Sequence, residues 1–576
     1  MDMSVSGPVR IRRVTGPLVE VDAFAGVAMN DLVALGPDRL PAEVVAIGAD
    51  RVTLQSYEYT GGLGPGDPVT PLAHPLSARL YPGLLGGVFD GLLRPLADAP
   101  TWLEPGRSPE ADGRRWSFRP AAHAGETVTP GTLLGIVAGA GSLEYRVLTP
   151  PGRSGHLDMI AAAGEYDDDD VIATVGGAPV TLTEHWPVRV PRPRRGRQPG
   201  TAPLQTGQRA VDLLFPVLRG GSVSVPGGFG TGKTMLLQQL AKWCDADVIV
   251  YVGCGERGNE MAEIVAELLA LIDPRTGGPL AQRTVIIANT SNMAMMAREA
   301  SVYTGVTVAE FFRDMGYHTV LVADSTSRWA EALREFASRT GALPAEEGYP
   351  ANLASALAAF YERAGVVTTL GGASGSVTIV GAVSPPGGDV SEPVTIQTER
   401  FVRCRWTLDR DLAYARHYPA VSWSNSFARD VETVTAGHAA DGDDGWGERR
   451  ARAVRLLAEA DRLTALTELM GAGALPPDQR MIILGARLLR EGVLQQNALS
   501  DNDARCTGAK AAALVEATLA VTERCRARVA DGVAAQTVET FDFGPLVRVR
   551  ETAGPDDVAA VRQIRDAVLT GLGGLT

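Results

Sequence analysis

Hydrophobic and polar residues alternate with a period of two in short runs near the start of the chain: Val9-Arg10-Ile11, Leu18-Val19-Glu20-Val21, Glu43-Val44-Val45-Ala46-Ile47 and Val52-Thr53-Leu54-Gln55. Such alternation suits strands that bury one face. Gly-Pro, Gly-Ala-Asp and Gly-Pro-Gly-Asp segments break the runs, so residues 1–75 are expected to form a small antiparallel β-barrel. A second β-rich stretch, residues 112–190, is expected as an insertion into a larger domain built from 76–111 and 191–430. In that larger domain the apolar runs Ser222–Val225, Val248–Val252, Thr284–Ile287 and Thr319–Ala323 alternate with helical patterns, which predicts a parallel sheet covered by helices. Beyond the turn-forming Asp441-Gly442-Asp443-Asp444-Gly445, apolar residues recur at helical spacing: Leu456, Leu457, Ala460 and Leu463; Ile482, Ile483, Ala486 and Leu489; Val558, Val561, Ile564 and Val568. Residues 431–576 are therefore expected to be helical. The fold class is multidomain α/β.

Composition removes several function classes. A length of 576 residues, at roughly 100–200 per domain, agrees with about four domains. Lys+Arg of 54 against Asp+Glu of 67 gives a formal net charge of −13, which argues against a nucleic-acid partner. No uncharged apolar run approaches the roughly 18 residues that span a bilayer. Met1-Asp2-Met3-Ser4 lacks the basic-then-apolar pattern of a secretion signal, so a soluble, cytoplasmic chain is expected. The five cysteines form no Cys-x-x-Cys pair and are expected to be reduced and mostly buried. The seven histidines lack zinc-ligand spacing, so any metal is expected to arrive with a substrate. Only three lysines occur, Lys233, Lys242 and Lys510. Gly125–Val137 and Thr149–Leu157 look like the half-barrel repeat of biotinyl and lipoyl carrier domains, but no lysine precedes Lys233 to carry either group. The likeness is thus one of architecture alone. The carboxylate run Asp167–Asp170 is expected at the surface, and Pro191–Arg197 as a stiff linker.

One lysine falls in a recognisable chemical setting. Gly227-Gly228-Phe229-Gly230-Thr231-Gly232-Lys233-Thr234 satisfies Gly-x4-Gly-Lys-Thr, follows a predicted strand and opens a predicted helix. That context makes a phosphate-binding P-loop: backbone N–H groups and the helix N-terminus face the phosphates, Lys233 reaches the β- and γ-phosphates, and the Thr234 hydroxyl binds Mg²⁺. The central domain is accordingly expected to be a P-loop, RecA-like nucleotide-binding domain. The strand Thr319–Ala323 runs into Asp324, the position of a carboxylate that orients Mg²⁺ through water, and Arg328 follows four residues later. Val252-Gly253-Cys254-Gly255-Glu256-Arg257 ends another strand. Ligands of parallel sheets bind at strand carboxyl ends, where Glu256 can polarise an attacking water and Arg257 offset phosphate charge; the pair also reads as a surface ion pair.

These motifs, together with Gly253–Met261 and Ala323-Asp324-Ser325-Thr326-Ser327-Arg328-Trp329, resemble the catalytic A-type chain of V-type and A-type rotary ATPases. The likeness continues through Trp186-Pro187-Val188-Arg189, Ser384–Asp389, His417-Tyr418-Pro419-Ala420-Val421 and Leu494-Gln495-Gln496-Asn497-Ala498, and includes the insertion at 112–190. It implies an alternating ring of three A and three B chains, with Mg-ATP hydrolysed or made at A–B boundaries. An arginine from the B-type subunit would complete each site. Central and peripheral stalk subunits would couple the ring to proton or sodium transport in a membrane sector, to which this chain would be peripheral. Residue by residue, the resemblance makes Lys233 and Thr234 the P-loop pair, Glu256 the water-activating glutamate, Arg257 and Arg328 phosphate-side arginines, and Asp324 the Mg²⁺-orienting carboxylate. Tyr418, Pro419, Gln495 and Leu499 fall at the adenine.

Two positions depart from the family pattern. Leu499 stands where an aromatic commonly packs on adenine, and Arg405 where an aromatic commonly precedes Trp406. Thr231 stands where some members carry a cysteine, so no redox inactivation is expected there. Two further readings stay open on the sequence, a homohexameric protein-export ATPase and a ring component that binds nucleotide without hydrolysing it.

Overall fold

The computed structural model describes residues 9–96, 113–470 and 475–576, the side chains of 468–470 excepted. Met1–Ser4, and the 97–111 part of the segment expected to join the central domain, lie outside the described residues. The chain divides into two compact units: Met1–Pro199 with Ala246–Val383 and Pro393–Phe401, and Gly200–Asp245 with Ser384–Glu392 and Val402–Thr576.

The first unit begins with a six-stranded antiparallel sheet in the order Ile11–Thr15, Leu18–Asp22, Arg51–Ser56, Leu40–Ile47, Asp31–Leu35, Val69–Pro75. A bridge between Arg10 and Pro68, with Ile11 N donating to Asp67 O at 3.0 Å, joins its two edges and closes the barrel. Val19, Val21, Leu35, Val44, Val52 and Leu54 fill the interior, each worth about 1.5–3 kcal/mol of burial. The inserted segment folds as two four-stranded antiparallel sheets with Trp116, Phe118, Val137 and Leu157 buried.

Two sequence expectations change here. Asp168, expected on the surface with its neighbours, is 3% exposed; it accepts from Trp116 Nε1 at 2.7 Å and pairs with Arg79 at 3.3 Å. The indole N–H needs an acceptor once buried, and one carboxylate of the run turns inward to supply it. The Pro191–Arg197 segment is not a free linker either. Arg192, 3% exposed, pairs with Glu184 at 2.9 Å and Asp314 at 2.7 Å, and Gly196–Gln198 adds an antiparallel strand to Gly365–Thr368. A guanidinium tolerates burial because its planar fork of donors matches facing carboxylates.

The first unit also carries parallel strands in the order Val88–Phe89, Thr284–Thr290, Val248–Glu256, His318–Asp324, Ser374–Val383. The expected runs are present, and the last strand, ten residues long and almost wholly buried, extends them. Helix Met295–Asp314 packs across this sheet and is itself buried along most of its length.

In the second unit the buried strand Ser222–Pro226 runs parallel to Cys404–Arg405, which pairs antiparallel with Phe427–Ala428. Helices Val431–Ala440, Trp446–Met470, Pro477–Leu489, Gly508–Ala530, Gly544–Thr552 and Val558–Gly573 form the expected helical region. Buried Arg209 joins it to the rest of the unit: it pairs with Asp503 at 2.6 Å and donates to the carbonyls of Val493 and Gln495, both at 2.7 Å. Asp503 also receives Arg550 at 2.6 Å.

Asp168→Ala is expected to strip acceptors from Trp116 and Arg79 and to destabilise the inserted domain by about 1–3 kcal/mol. A urea or thermal unfolding curve indistinguishable from the parent protein's would refute the inward carboxylate.

Candidate nucleotide site

The predicted site residues lie in two clusters, one in each unit. In the second unit, strand Ser222–Pro226 delivers the chain into Gly227–Gly232 and helix Lys233–Trp243 follows at once. Gly232 takes φ +83 as the residue before the helix, a conformation that only glycine adopts without strain. Close packing explains a second glycine, since a Cβ at Gly227 would come within 2.8 Å of Thr231 Oγ1 and 2.9 Å of Leu408 Cβ. The loop is braced internally: Thr231 Oγ1 donates to Gly228 O at 2.9 Å and Lys233 Nζ to Gly227 O at 2.6 Å. Thr234 lies in the first turn of the helix, while Phe229 stands out from the loop at 95% exposed.

Tyr418 packs on this loop, its Cε1 only 3.1 Å from a Cβ built on Gly232. Gln495 and Gln496 fall beside it, since Gln496 N donates to Tyr418 O at 2.7 Å and Gln495 Nε2 to Arg416 O at 3.2 Å. Pro419 is buried, whereas Leu499 is 91% exposed. His417, next to Tyr418, stands edge-on to Trp423 at 6.2 Å. Burial first, and the charges of Arg490 and Arg550 second, push its imidazole down to about 4, so it is neutral at physiological pH.

In the first unit, Glu256 and Asp324 terminate adjacent parallel strands, with Gly253 directly opposite Asp324. Asp324 is 2% exposed and accepts from Tyr251 Oη at 3.2 Å. Burial first, and the Asp324 charge second, drive the Tyr251 phenol well above its ordinary range, which keeps it a donor. Glu256 follows Gly255, at φ +74, pairs with Thr290 of the neighbouring strand, and its carbonyl accepts from Ser291 N at 2.9 Å. Arg257 precedes helix Gly258–Ala270 as an exposed side chain, 3.7 Å from Glu260. Arg328 pairs with Glu331 at 2.9 Å, and that hydrogen bond raises its pKa. The structure thus gathers Glu256, Arg257, Asp324 and Arg328 at one end of the parallel strands.

Sequence reasoning missed Tyr251 and Arg298. A phenol inside the aliphatic run Val248-Ile249-Val250-Tyr251-Val252 was the available signal, because a buried hydroxyl requires a partner. Arg298 gave none. Its Cδ lies 3.0 Å from a Cβ built on Gly255, and its guanidinium donates to Ser291 O at 3.0 Å.

Residues 207–428 match the ATP synthase alpha/beta family, nucleotide-binding domain. Flanking matches are to the beta-barrel domain of the ATP synthase alpha/beta family over 11–73, the ATP synthase alpha/beta subunit barrel-sandwich domain over 110–189, and the C-terminal domain of V and A type ATP synthase over 438–537. The V-type ATP synthase alpha chain of Anaeromyxobacter dehalogenans (strain 2CP-C) is 48% identical over 560 residues, covering 96% of this chain and 97% of the relative. The V-type ATP synthase alpha chain of Nitrosococcus oceani is 46% identical over 579 residues, covering 97% and 96% respectively. The corresponding A-type ATP synthase chain of Methanopyrus kandleri is 44% identical over 583 residues, covering 99% and 98%. The chain belongs to the V/A-type ATP synthase alpha-chain family.

The solved structure of the assembled ATPase EscN, from the type III secretion system of enteropathogenic E. coli, shares the fold of this V/A-type chain. Its TM-score is 0.64 at 22% identity, covering 89% of this chain and 100% of that one. The barrel, the barrel-sandwich insertion, the nucleotide-binding domain and the helical C-terminal region expected from sequence are all present. Among the described residues of this V/A-type chain, no helix is long and apolar enough to cross a membrane.

The neutral His417 makes stability depend on acid. Its folded pKa, about 4, lies below the ordinary 6.5, so the stability it contributes is fully present above about pH 6.5 and is lost as pH falls through about 4. His417→Gln is expected to flatten the acid limb between those values in urea titrations at successive pH. An unchanged slope would mean that His417 titrates normally.

Proposed function

We propose that this chain is the catalytic component of a rotary, ion-translocating ATP synthase or ATPase, turning over Mg-ATP at boundaries with a B-type subunit. One observation carries the reading. A single family match, residues 207–428, includes both the braced P-loop with Lys233 and the strand-end carboxylates Glu256 and Asp324. The family resemblance assigns residues of both clusters to nucleotide chemistry.

In that assignment Gly227–Gly232 and the N-terminus of helix Lys233–Trp243 offer N–H groups to the β-phosphate, and Lys233 neutralises charge on the β- and γ-phosphates. Mg²⁺ enters with the nucleotide. Thr234 would hold it directly and Asp324, which accepts from Tyr251, would hold it through water. Oxygen donors alone suit this hard cation. Glu256 accepts a proton from the water that attacks the γ-phosphorus in line, while Arg257 and Arg328 offset charge gathering on the γ-phosphate oxygens. Phosphoryl transfer needs little more than such positioning and charge stabilisation. Tyr418, Pro419, Gln495 and Leu499 form the base side of the pocket.

An arginine from the B-type partner completes the site in this reading, so opening and closing of the boundary changes nucleotide affinity and couples chemistry to rotation. Stalk subunits carry that rotation to a membrane sector that moves protons or sodium ions. The chain itself stays on the cytoplasmic side, peripheral to the membrane. The barrel-sandwich insertion and the V/A-type C-terminal match favour this assembly over a homohexameric export ATPase.

Glu256→Gln is expected to retain nucleotide affinity and to lose about 10²- to 10⁴-fold in ATP turnover by the assembled ring, the usual worth of a general base. Turnover at the parent rate would remove Glu256 from the chemistry. Mg-ATP hydrolysis should appear when this chain is mixed with its B-type partner, and should saturate at a one-to-one ratio. Full activity from this chain alone would favour the homohexameric reading.

A further inference from the structure

A cavity of about 210 Å³ lies in the first unit, where the inserted domain meets the end of helix Met295–Asp314. Tyr145, Leu148, Pro150, Leu182, Phe311 and Met315 provide apolar walls. Arg153 and His185, both exposed, belong to the lining, so the cavity opens to solvent. Thr183 Oγ1, also in the lining, is buried without a hydrogen-bond partner among the described residues.

The charges around it do not cancel completely. In the lining, Glu184 and Asp314 hold Arg192; behind it, Asp314 also holds Arg313, and Glu310 holds Arg313 and Arg363. Arg146 is balanced by Glu144 at 3.2 Å and donates to Met315 O at 2.6 Å. Burial first and Arg79 second lower the pKa of the His185 imidazole. Arg153 remains, a cation that forms no ion pair among the described residues. A chamber of mixed polar and apolar lining, with a guanidinium that has no ion pair among the described residues, suits a ligand of matching anatomy.

We propose that this cavity binds a small organic monoanion with a compact apolar body, such as an aromatic or alicyclic carboxylate. The carboxylate pairs with Arg153 at the rim. The ring lies inward between Tyr145, Leu182 and Phe311, and Thr183 Oγ1 meets a polar substituent where the ligand has one. This orientation also keeps the anion away from the carbonyl end of helix Met295–Asp314, where negative charge is disfavoured. Such a ligand bridges the inserted domain and the parallel-sheet domain, so it would stabilise that seam. The inference does not depend on the nucleotide reading.

Benzoate titrated into the full chain, followed by calorimetry and ligand-observed NMR, tests it. One-to-one saturable binding is expected, at least tenfold tighter than that of benzyl alcohol, which lacks the charge, or acetate, which lacks the ring. Arg153→Ala, an exposed change that leaves the fold alone, should weaken benzoate at least tenfold, whereas Arg119→Ala, at another exposed arginine, should not. Saturating ATP should leave the isotherm unchanged. Absence of saturation at concentrations on the order of 10 mM, equal affinity for benzyl alcohol, indifference to Arg153→Ala, or displacement by ATP would each overturn the proposal.

Discussion

Helix Met295–Asp314 carries its charges where most helices carry apolar residues, and the first unit is organised around them. Glu299 receives Arg189 at 2.6 Å, and the same guanidinium reaches Glu43 of the barrel at 2.7 Å. Glu310 receives Arg363 and Arg313, and Asp314 receives Arg192, which continues to Glu184 of the inserted domain. Barrel, insertion and parallel sheet thus converge on one buried element through charge-assisted hydrogen bonds. Such pairs add little when compared with apolar packing, but loss of one partner strands the other and costs about 3–5 kcal/mol. Their geometry is also directional, which fixes how three β-rich pieces attach to one helix. Tyr57 completes the arrangement at the barrel by donating to Glu43, whose carboxyl is raised by burial despite the neighbouring Arg189.

The same helix begins beside the proposed catalytic carboxylates. Arg298 lies in its first turn, and Cys254 Sγ contacts Arg298 O at 3.5 Å. Gly255 sits between Arg298 and Arg328, where an added Cβ would meet Arg328 Cβ at 2.9 Å. Its positive φ falls at the irregular register between Cys254 and Glu256, a bulge after which Glu256 still pairs with Thr290 as the last residue of the strand. The direction of the glutamate therefore follows from a glycine that cannot be enlarged. Val248–Glu256 and His318–Asp324 are neighbours in register, with Asp324 opposite Gly253, so the strand carrying Glu256 runs three residues past the end of the one carrying Asp324.

Much of this was legible in sequence because the relevant signals are local. The period-two runs of the barrel, the aliphatic runs of Val248–Val252 and Thr284–Ile287, and the glycine spacing before Lys233 each report a backbone requirement within a few residues. Ser374–Val383 escaped because its Ser-Gly-Ser opening resembles a loop, although all but its first residue are buried. Asp168 and Arg192 escaped for another reason. Their burial depends on Trp116, Asp314 and Glu184, which are distant in sequence, so a charge run and a basic segment took their ordinary solvated reading. The proposed Mg²⁺ and water-activating roles rest on position relative to strand ends, while Tyr251 and Arg298, which brace those positions, contact them only in the folded chain.

The two departures from the family pattern have different physical standing. Arg405 replaces an aromatic, yet its guanidinium lies over the Phe427 ring at 5.3 Å and donates to Asn425 O at 2.6 Å. Its flat face and its donors together substitute for aromatic packing on that strand, and Trp406 keeps its own buried bond to Phe215 O at 2.9 Å. Leu499 has no such compensation: it projects into solvent, with its backbone N donating to Asn497 Oδ1 at 3.0 Å. A leucine offers a base hydrophobic cover but no π-face. In the proposed site the aromatic surface beside the P-loop is therefore Tyr418, held by Gln496 through its carbonyl and packed against Gly232.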